Sequence, residues 1–301
     1  MLRFKPMSES TSTPEPSRVF IVGCGRSGTT LVQSMLAAHP AVLTFTESHF
    51  FDKGFRRYRL WPVPRRALAQ RVRDFAQENE LPVTDGELDE LCTRLQRLAM
   101  PDAARALLDW LDDCAARAGR AVWIEKTPAH VMYLPWIERA APGRVRFVHV
   151  VRRAEGVLPS LHKASQQWGR GKTWLECALQ WHLALRVTQR CLGQARHHVL
   201  FYEQLVAQPE VEARRLLAFL NLDWHDAVVR DHHQRGRSVI RETETWKANN
   251  LRQGMDATTL DRDLTALPLT ARLAVRGGQR YDSLKARAHQ LEHAPEGPAH
   301  D

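Results

Sequence analysis

No apolar run in this sequence is long enough to cross a bilayer as a helix, so nothing in it points to a membrane span. Residues 1–17 are rich in serine, threonine and proline and lack the apolar stretch of a signal peptide. They read as a flexible tail, and residues 290–301 read as another. Five cysteines (Cys24, Cys92, Cys114, Cys177 and Cys191) are odd in number and form no CxxC pair, which argues against a disulfide framework. A reduced, cytoplasmic chain is the expectation. His197-His198 and His232-His233 are adjacent pairs without i, i+4 spacing or nearby cysteines, so no metal site is read. Zinc-finger, RNA-recognition and homeodomain patterns are absent, so no nucleic-acid partner is assigned. There is no internal repeat, and no second segment carries a core of its own.

What remains is an ordinary globular composition, 44% hydrophobic and 26% charged over 301 residues. Lysine and arginine number 43 against 34 acids, a net charge of +9. That excess suits anionic ligands, or simply a solvated arginine-rich surface.

One stretch organises the rest. Val19 to Val22 is a short apolar run of the kind that forms a strand buried on both faces. A glycine-rich turn follows, and then a helical pattern with Leu31, Met35 and Leu36 on one face. Strand, Gly loop and helix in that order bind phosphate, because loop amides and the helix N-terminus point at the anion. Gly23 and Gly28 match the glycines of GxxxxGK[ST], but Thr29 stands where the lysine belongs. The loop's cation comes earlier, at Arg26. Such a loop suits a nucleotide phosphate and is poorly built for ATP hydrolysis.

Gly25-Arg26-Ser27-Gly28-Thr29-Thr30-Leu31, followed by His39-Pro40, resembles the 5′-phosphosulfate loop of the sulfotransferase family. The Arg-Ser-Gly-Thr-Thr-Leu wording is similar to bacterial members and to tyrosylprotein sulfotransferases. Enzymes of the family move a sulfuryl group from 3′-phosphoadenosine 5′-phosphosulfate (PAPS) to a hydroxyl or amine. Three later stretches carry the same resemblance. Glu125-Lys126-Thr127-Pro128 ends a strand candidate, Ala121–Glu125. Arg152 ends another, 144–151, and Ser160 follows eight residues later. Tyr202-Glu203 closes a fourth, His198–Tyr202.

The resemblance implies a P-loop-like α/β fold: a mostly parallel sheet of four or five strands flanked by helices, within a domain spanning 18–289. A helical insertion is expected at about 64–119, where leucines recur with helical spacing and Thr84-Asp-Gly-Glu87 is a capping box. The insertion is read as core, and as a lid over the site. The aromatic and basic stretch 49–66 reads as a self-packed surface loop or as an acceptor wall.

PAPS is the implied donor, without a metal. Gly25, Arg26, Ser27, Gly28, Thr29 and Thr30 would hold its 5′-phosphosulfate. Arg152 and Ser160 would grip the 3′-phosphate, although Arg153-Ala154-Glu155 departs from the family's usual Arg-Asp-Pro-Arg wording. Tyr202 would lie by the adenosine, and Lys247, with Trp246, in a late segment closing over the nucleotide. Tyr281 sits near the end of the ordered domain. The implied catalytic residues are Glu47 as general base, Arg26, and Lys126 as a cation for the leaving group, with His130 the runner-up base. A P-loop kinase and a nucleotide-binding protein without catalysis are the rival readings. The acceptor (sugar, lipid, peptide tyrosine or small metabolite) and the oligomeric state stay open.

Overall fold

The computed structural model of the chain describes residues 15–57, 61–167, 169, 171–232, 267–275 and 279–292. Five parallel strands form its sheet: β1 (Ser17–Gly23), β2 (Val42–Thr44), β3 (Val122–Lys126), β4 (Val145–Val151) and β5 (His197–Phe201). They lie in the order β2-β3-β1-β4-β5. β1 is therefore central, and the chain builds one side of it with β2 and β3 and the other with β4 and β5. Ligands of such sheets collect beyond the carboxyl ends of the strands where the order reverses, here beside β1.

The apolar run of β1 is covered on both faces, as a parallel central strand requires. Val19 and Ile21 pack with Val32, Met35 and Leu36 of helix α1 (Thr29–Ala37) and with leucines of 216–220. Phe20 and Val22 face the other way, into a larger core that includes Trp123, Phe147, Leu161 and Trp181. Removing the Phe20 side chain alone would cost about 3–5 kcal/mol. At the opposite end of the sheet from the Gly loop, buried Arg18 donates to Asp112 at 2.6 Å and to Asp109 at 2.5 Å. Losing one partner of such a buried pair costs about 3–5 kcal/mol.

Between β2 and β3 the chain forms α2 (Arg65–Glu78), α3 (Asp85–Arg97) and α4 (Met100–Arg117). Thr84 and Glu87 cap α3 reciprocally, the box expected from their spacing. The aromatics of 49–66 point inward where they are described. Phe50, Phe51 and Phe55 are buried on a single π-helical turn, Phe50–Phe55, with the Phe50 ring 4.8 Å from that of Phe75.

After β3 a 3₁₀ turn (Pro128–Tyr133) leads into α5 (Leu134–Ala140). α6 (Ala154–Gln167) and α7 (Trp174–Cys191) separate β4 from β5. α8 (Tyr202–Ala207), α9 (Pro209–Leu220), α10 (Ala227–Arg230), α11 (Leu269–Ala274) and α12 (Gln279–Glu292) complete the described chain. Among the described residues no helix is long and apolar enough to cross a membrane.

Candidate active site

The Gly loop runs from the end of β1 into α1. Gly28 is the N-cap residue of α1, with φ 98°, and no side chain caps the helix. The Leu31 amide bonds back to the Gly28 carbonyl at 3.0 Å, and the Thr29 and Thr30 amides, at the positive end of the helix dipole, are placed to meet an anion. Arg26 is also left-handed, at φ 73°, a conformation costly for a residue with a Cβ, by about 1–3 kcal/mol. This backbone carries its side chain towards α6, where Nε donates to Ser160 Oγ at 2.9 Å.

Arg152 leaves the end of β4 and reaches the same loop. Its Nη1 lies 3.5 Å from the Arg26 carbonyl oxygen, and its guanidinium sits 4.0 Å from the centre of the Tyr202 ring. Gly156 makes room for it, since a Cβ there would fall 2.5 Å from Arg152 Nε. Trp181 Nε1 donates to the Arg152 carbonyl at 2.9 Å. Tyr202 in turn lies against Gly28, where a Cβ would fall 2.3 Å from the ring. Arg26, Gly28, Arg152, Ser160 and Tyr202 therefore meet beyond the carboxyl ends of β1, β4 and β5. Arg153, where the wording departs from the family, turns elsewhere. Its N–H donates to Glu203 Oε1 at 2.9 Å, and Glu203 Oε2 accepts from Tyr281 on α12 at 2.5 Å.

A second group lies beyond the ends of β2 and β3. Lys126, almost fully buried, places Nζ 2.5 Å from Glu47 Oε1. Glu47 Oε2 is 3.4 Å from His49 Nε2, and His49 Nδ1 is 3.1 Å from Asp52 Oδ2. Asp52 Oδ1 is 3.4 Å from His130 Nε2, and His130 Nδ1 is 2.9 Å from Glu125 Oε2. Glu125 Oε1 accepts from Ser48 Oγ at 2.7 Å and from Thr127 Oγ1 at 2.5 Å. Acids and imidazoles alternate along this chain of contacts. Burial favours neutral His130, yet the charge of Glu125 and hydrogen bonds to Asp52 and Glu125 outweigh it and push the imidazole up to about 9. Burial likewise opposes ionisation of Glu125 and Asp52, but their histidine partners hold both below the usual carboxylate range. His130 is fully buried and engaged at both ring nitrogens, whereas Glu47 keeps part of its surface in solvent.

A sequence profile described as the sulfotransferase family matches residues 16–226, the whole span from β1 to the start of α10. The chain belongs to the sulfotransferase family. It is similar to protein-tyrosine sulfotransferase 1 of Danio rerio, 28% identical over 221 residues that cover 72% of this chain and 56% of that protein. The chain spans about half the length of the curated relatives it matches. Among solved structures, the sulfotransferase domain of the Synechococcus PCC 7002 olefin synthase superposes with a TM-score of 0.63 at 19% identity, over 89% of this chain and 95% of that one. Mouse sulfotransferase SULT7A1, complexed with PAP, gives a TM-score of 0.50 at 11% identity, over 93% and 89% of the two chains. Both share the fold: a parallel five-stranded sheet flanked by helices.

Two features of the site went unread in the sequence. Lys172, in the link between α6 and α7, donates to Gln180 Oε1 on α7. Gln180 Nε2 would be 3.8 Å from a Cβ at Gly25, so this pair adjoins the Gly loop. The glycines and basic residues of 169–172 were the available signal. His49 and Asp52 were the other omission, although both follow Glu47 closely. Lys247 and Trp246 lie outside the described residues. The donor set as a whole, two arginines, a serine hydroxyl and uncapped helix amides, fits an anionic nucleotide.

Proposed function

We propose that this sulfotransferase moves a sulfuryl group from PAPS to an acceptor hydroxyl by in-line transfer. The observation that carries the reading is the convergence of Arg26, Arg152 and Ser160 on a Gly loop whose lysine position holds Thr29. Arg26 and the loop residues Gly25, Ser27, Gly28, Thr29 and Thr30 hold the 5′-phosphosulfate, and Arg152 with Ser160 holds the 3′-phosphate. Arginine suits both tasks, since its planar fork binds phosphate bidentately and stays charged. Tyr202 packs beside the nucleotide, with Lys247 as a further contact.

In the transfer the acceptor oxygen forms a bond to sulfur while the bond from sulfur to the bridging oxygen breaks. The bisphosphate leaves with the bonding electrons, and Arg26 stabilises the charge that develops on it. Glu47 takes the hydroxyl proton. Lys126, at 2.5 Å, holds the carboxylate in place and adds a cation beside the transferring group. The burial of His130 between two acids favours Glu47 over it as the base. The arginines already supply the positive charge at the leaving group, so no metal is invoked for the transfer.

The relatives are named for protein tyrosine, so a tyrosyl hydroxyl belongs among the acceptors to test, beside sugars, lipids and small metabolites. The five unpaired cysteines suit a reducing compartment such as the cytoplasm. The decisive experiment incubates the full chain with PAPS carrying labelled sulfur and a cell extract, and identifies what becomes labelled. Transfer supports the proposal. Tight binding of the bisphosphate with no transfer to any fraction would leave a binding protein, and magnesium-dependent ATP turnover would revive the kinase.

A further inference from the structure

Away from the Gly loop, three side chains with metal-binding atoms converge between the sheet and α7. His149 of β4, His197 of β5 and Cys191, the last residue of α7, bring their donor atoms within 4.8 Å of one another. Cys191 and His197 are near one another in the chain, but His149 comes from a strand before α6 and α7, so spacing alone does not reveal the group. We propose that His149 Nε2, His197 Nδ1 and Cys191 Sγ bind a zinc-class divalent cation.

The surroundings of the ligands carry the argument. His149 Nε2 and His197 Nδ1 are already 3.0 Å apart. Their other ring nitrogens are held from behind: His149 Nδ1 is 3.0 Å from Thr188 Oγ1, and His197 Nε2 is 3.1 Å from Glu138 Oε1. A histidine that binds metal through one nitrogen typically donates from the other to a carboxylate or hydroxyl, which fixes tautomer and ring direction. The His197 ring is further pinned by stacking on Phe147, 4.9 Å between centroids and 17° between planes.

The set of two imidazoles and one thiolate is borderline-soft, which suits zinc and leaves a fourth position for water. Cys191 is only half-buried at a helix end, so its sulfur can move in by the roughly 1 Å that tetrahedral bond lengths ask. The balance is simple. Cys191 loses its thiol proton to solvent, and His149 shifts its single ring proton from Nε2 to Nδ1, facing Thr188. The cation would tie the end of α7 to β4 and β5, three residues before Arg152, whose carbonyl α7 already holds through Trp181.

The test uses the purified full chain, kept reduced and stripped of metal, titrated with cobalt(II) and then zinc. The expected result is one equivalent bound with a sulfur-to-cobalt charge-transfer band, displaced by zinc. Zinc-edge X-ray absorption should then show one sulfur and two imidazoles in the first shell. Zinc should also raise the thermal midpoint of the wild type and not that of Cys191→Ser. Cys191→Ser lies outside the phosphate-binding residues, so unchanged melting without zinc confirms that it folds. Absence of stoichiometric binding, a charge-transfer band that survives in Cys191→Ser, or a first shell without sulfur would each overturn the proposal and leave a hydrogen-bonded histidine chain.

Discussion

Arg26 Nε donates to Ser160 Oγ at 2.9 Å, so the cation of the Gly loop is held by the helix that also follows Arg152. In the proposed nucleotide site this contact would couple the 5′ half to the 3′ half. Ser160→Ala should release Arg26 as well as remove a hydroxyl. In a double-mutant cycle with Arg26→Ala, the effects on kcat/KM should fall short of additive by about 0.5–3 kcal/mol. Arg26→Ala alone should lower kcat more than nucleotide affinity, because the charge it meets grows towards the transition state. Additive losses would show that the 2.9 Å contact carries no function.

Gly28 should tolerate no side chain. A Cβ there would fall 2.3 Å from the Tyr202 ring, and the backbone is left-handed at φ 98°. Gly28→Ala is expected to lower the thermal midpoint and to abolish detectable binding of adenosine 3′,5′-bisphosphate in calorimetry. Adding Tyr202→Ala should recover part of the stability by removing the clash, while the backbone strain persists. Full recovery would mean that φ matters little at this position.

Nucleotide choice tests the second half of the grip. Wild-type protein should bind adenosine 3′,5′-bisphosphate at least about tenfold more tightly than AMP, since a charge-assisted phosphate contact is worth roughly 1.5–3 kcal/mol. Arg152→Ala should erase most of that preference. Equal wild-type affinities for the two nucleotides would end this assignment.

Much of this site was legible because its chemistry lies in short contiguous wording. Gly25 to Thr30 sits between a strand and a helix, and the eight-residue step from Arg152 to Ser160 is local. What was illegible depends on convergence from afar. The Lys126 partner of Glu47 is 79 residues away in sequence, so neither position announces the other. The inward turn of Phe50, Phe51 and Phe55 was hidden by the basic residues around them, which read as surface. Cys191 stands shortly before His197 in the chain, but His149 lies far upstream on another strand, and only strand pairing and the end of α7 bring the three together.

The acid and histidine pair below the site predicts a pH signature in stability. His130 is raised from 6.5 to about 9 on folding, so its contribution is complete below about pH 6.5 and is lost as pH rises through about 9. Glu125 is lowered from 4.5, so its contribution is present above 4.5 and fades as pH falls through its folded value. Urea unfolding across pH should therefore show the pair at full strength between about 4.5 and 6.5. The alkaline decline should flatten in His130→Gln, which is less stable throughout. An unchanged alkaline slope in that variant would remove His130 from the account.

The last prediction concerns the base. An acceptor hydroxyl is a poor nucleophile, and a carboxylate within reach of its proton accelerates attack. Glu47 is partly exposed beyond the end of β2, and both its oxygens are already directed: Oε1 by Lys126 at 2.5 Å, and Oε2 towards His49 at 3.4 Å. Glu47→Gln keeps the shape and removes the basic carboxylate. It should leave bisphosphate affinity nearly unchanged while lowering kcat by roughly 10²–10⁴-fold. Lys126→Met serves as the control for position: if Lys126 mainly orients Glu47, its loss should lower kcat without restoring activity to Glu47→Gln in the double variant. His49→Asn, which removes only the weaker partner, should cost less than either. If Glu47→Gln kept wild-type kcat while His130→Gln lost it, the proton would leave through the buried histidine, and the role of Glu47 would reduce to holding Lys126.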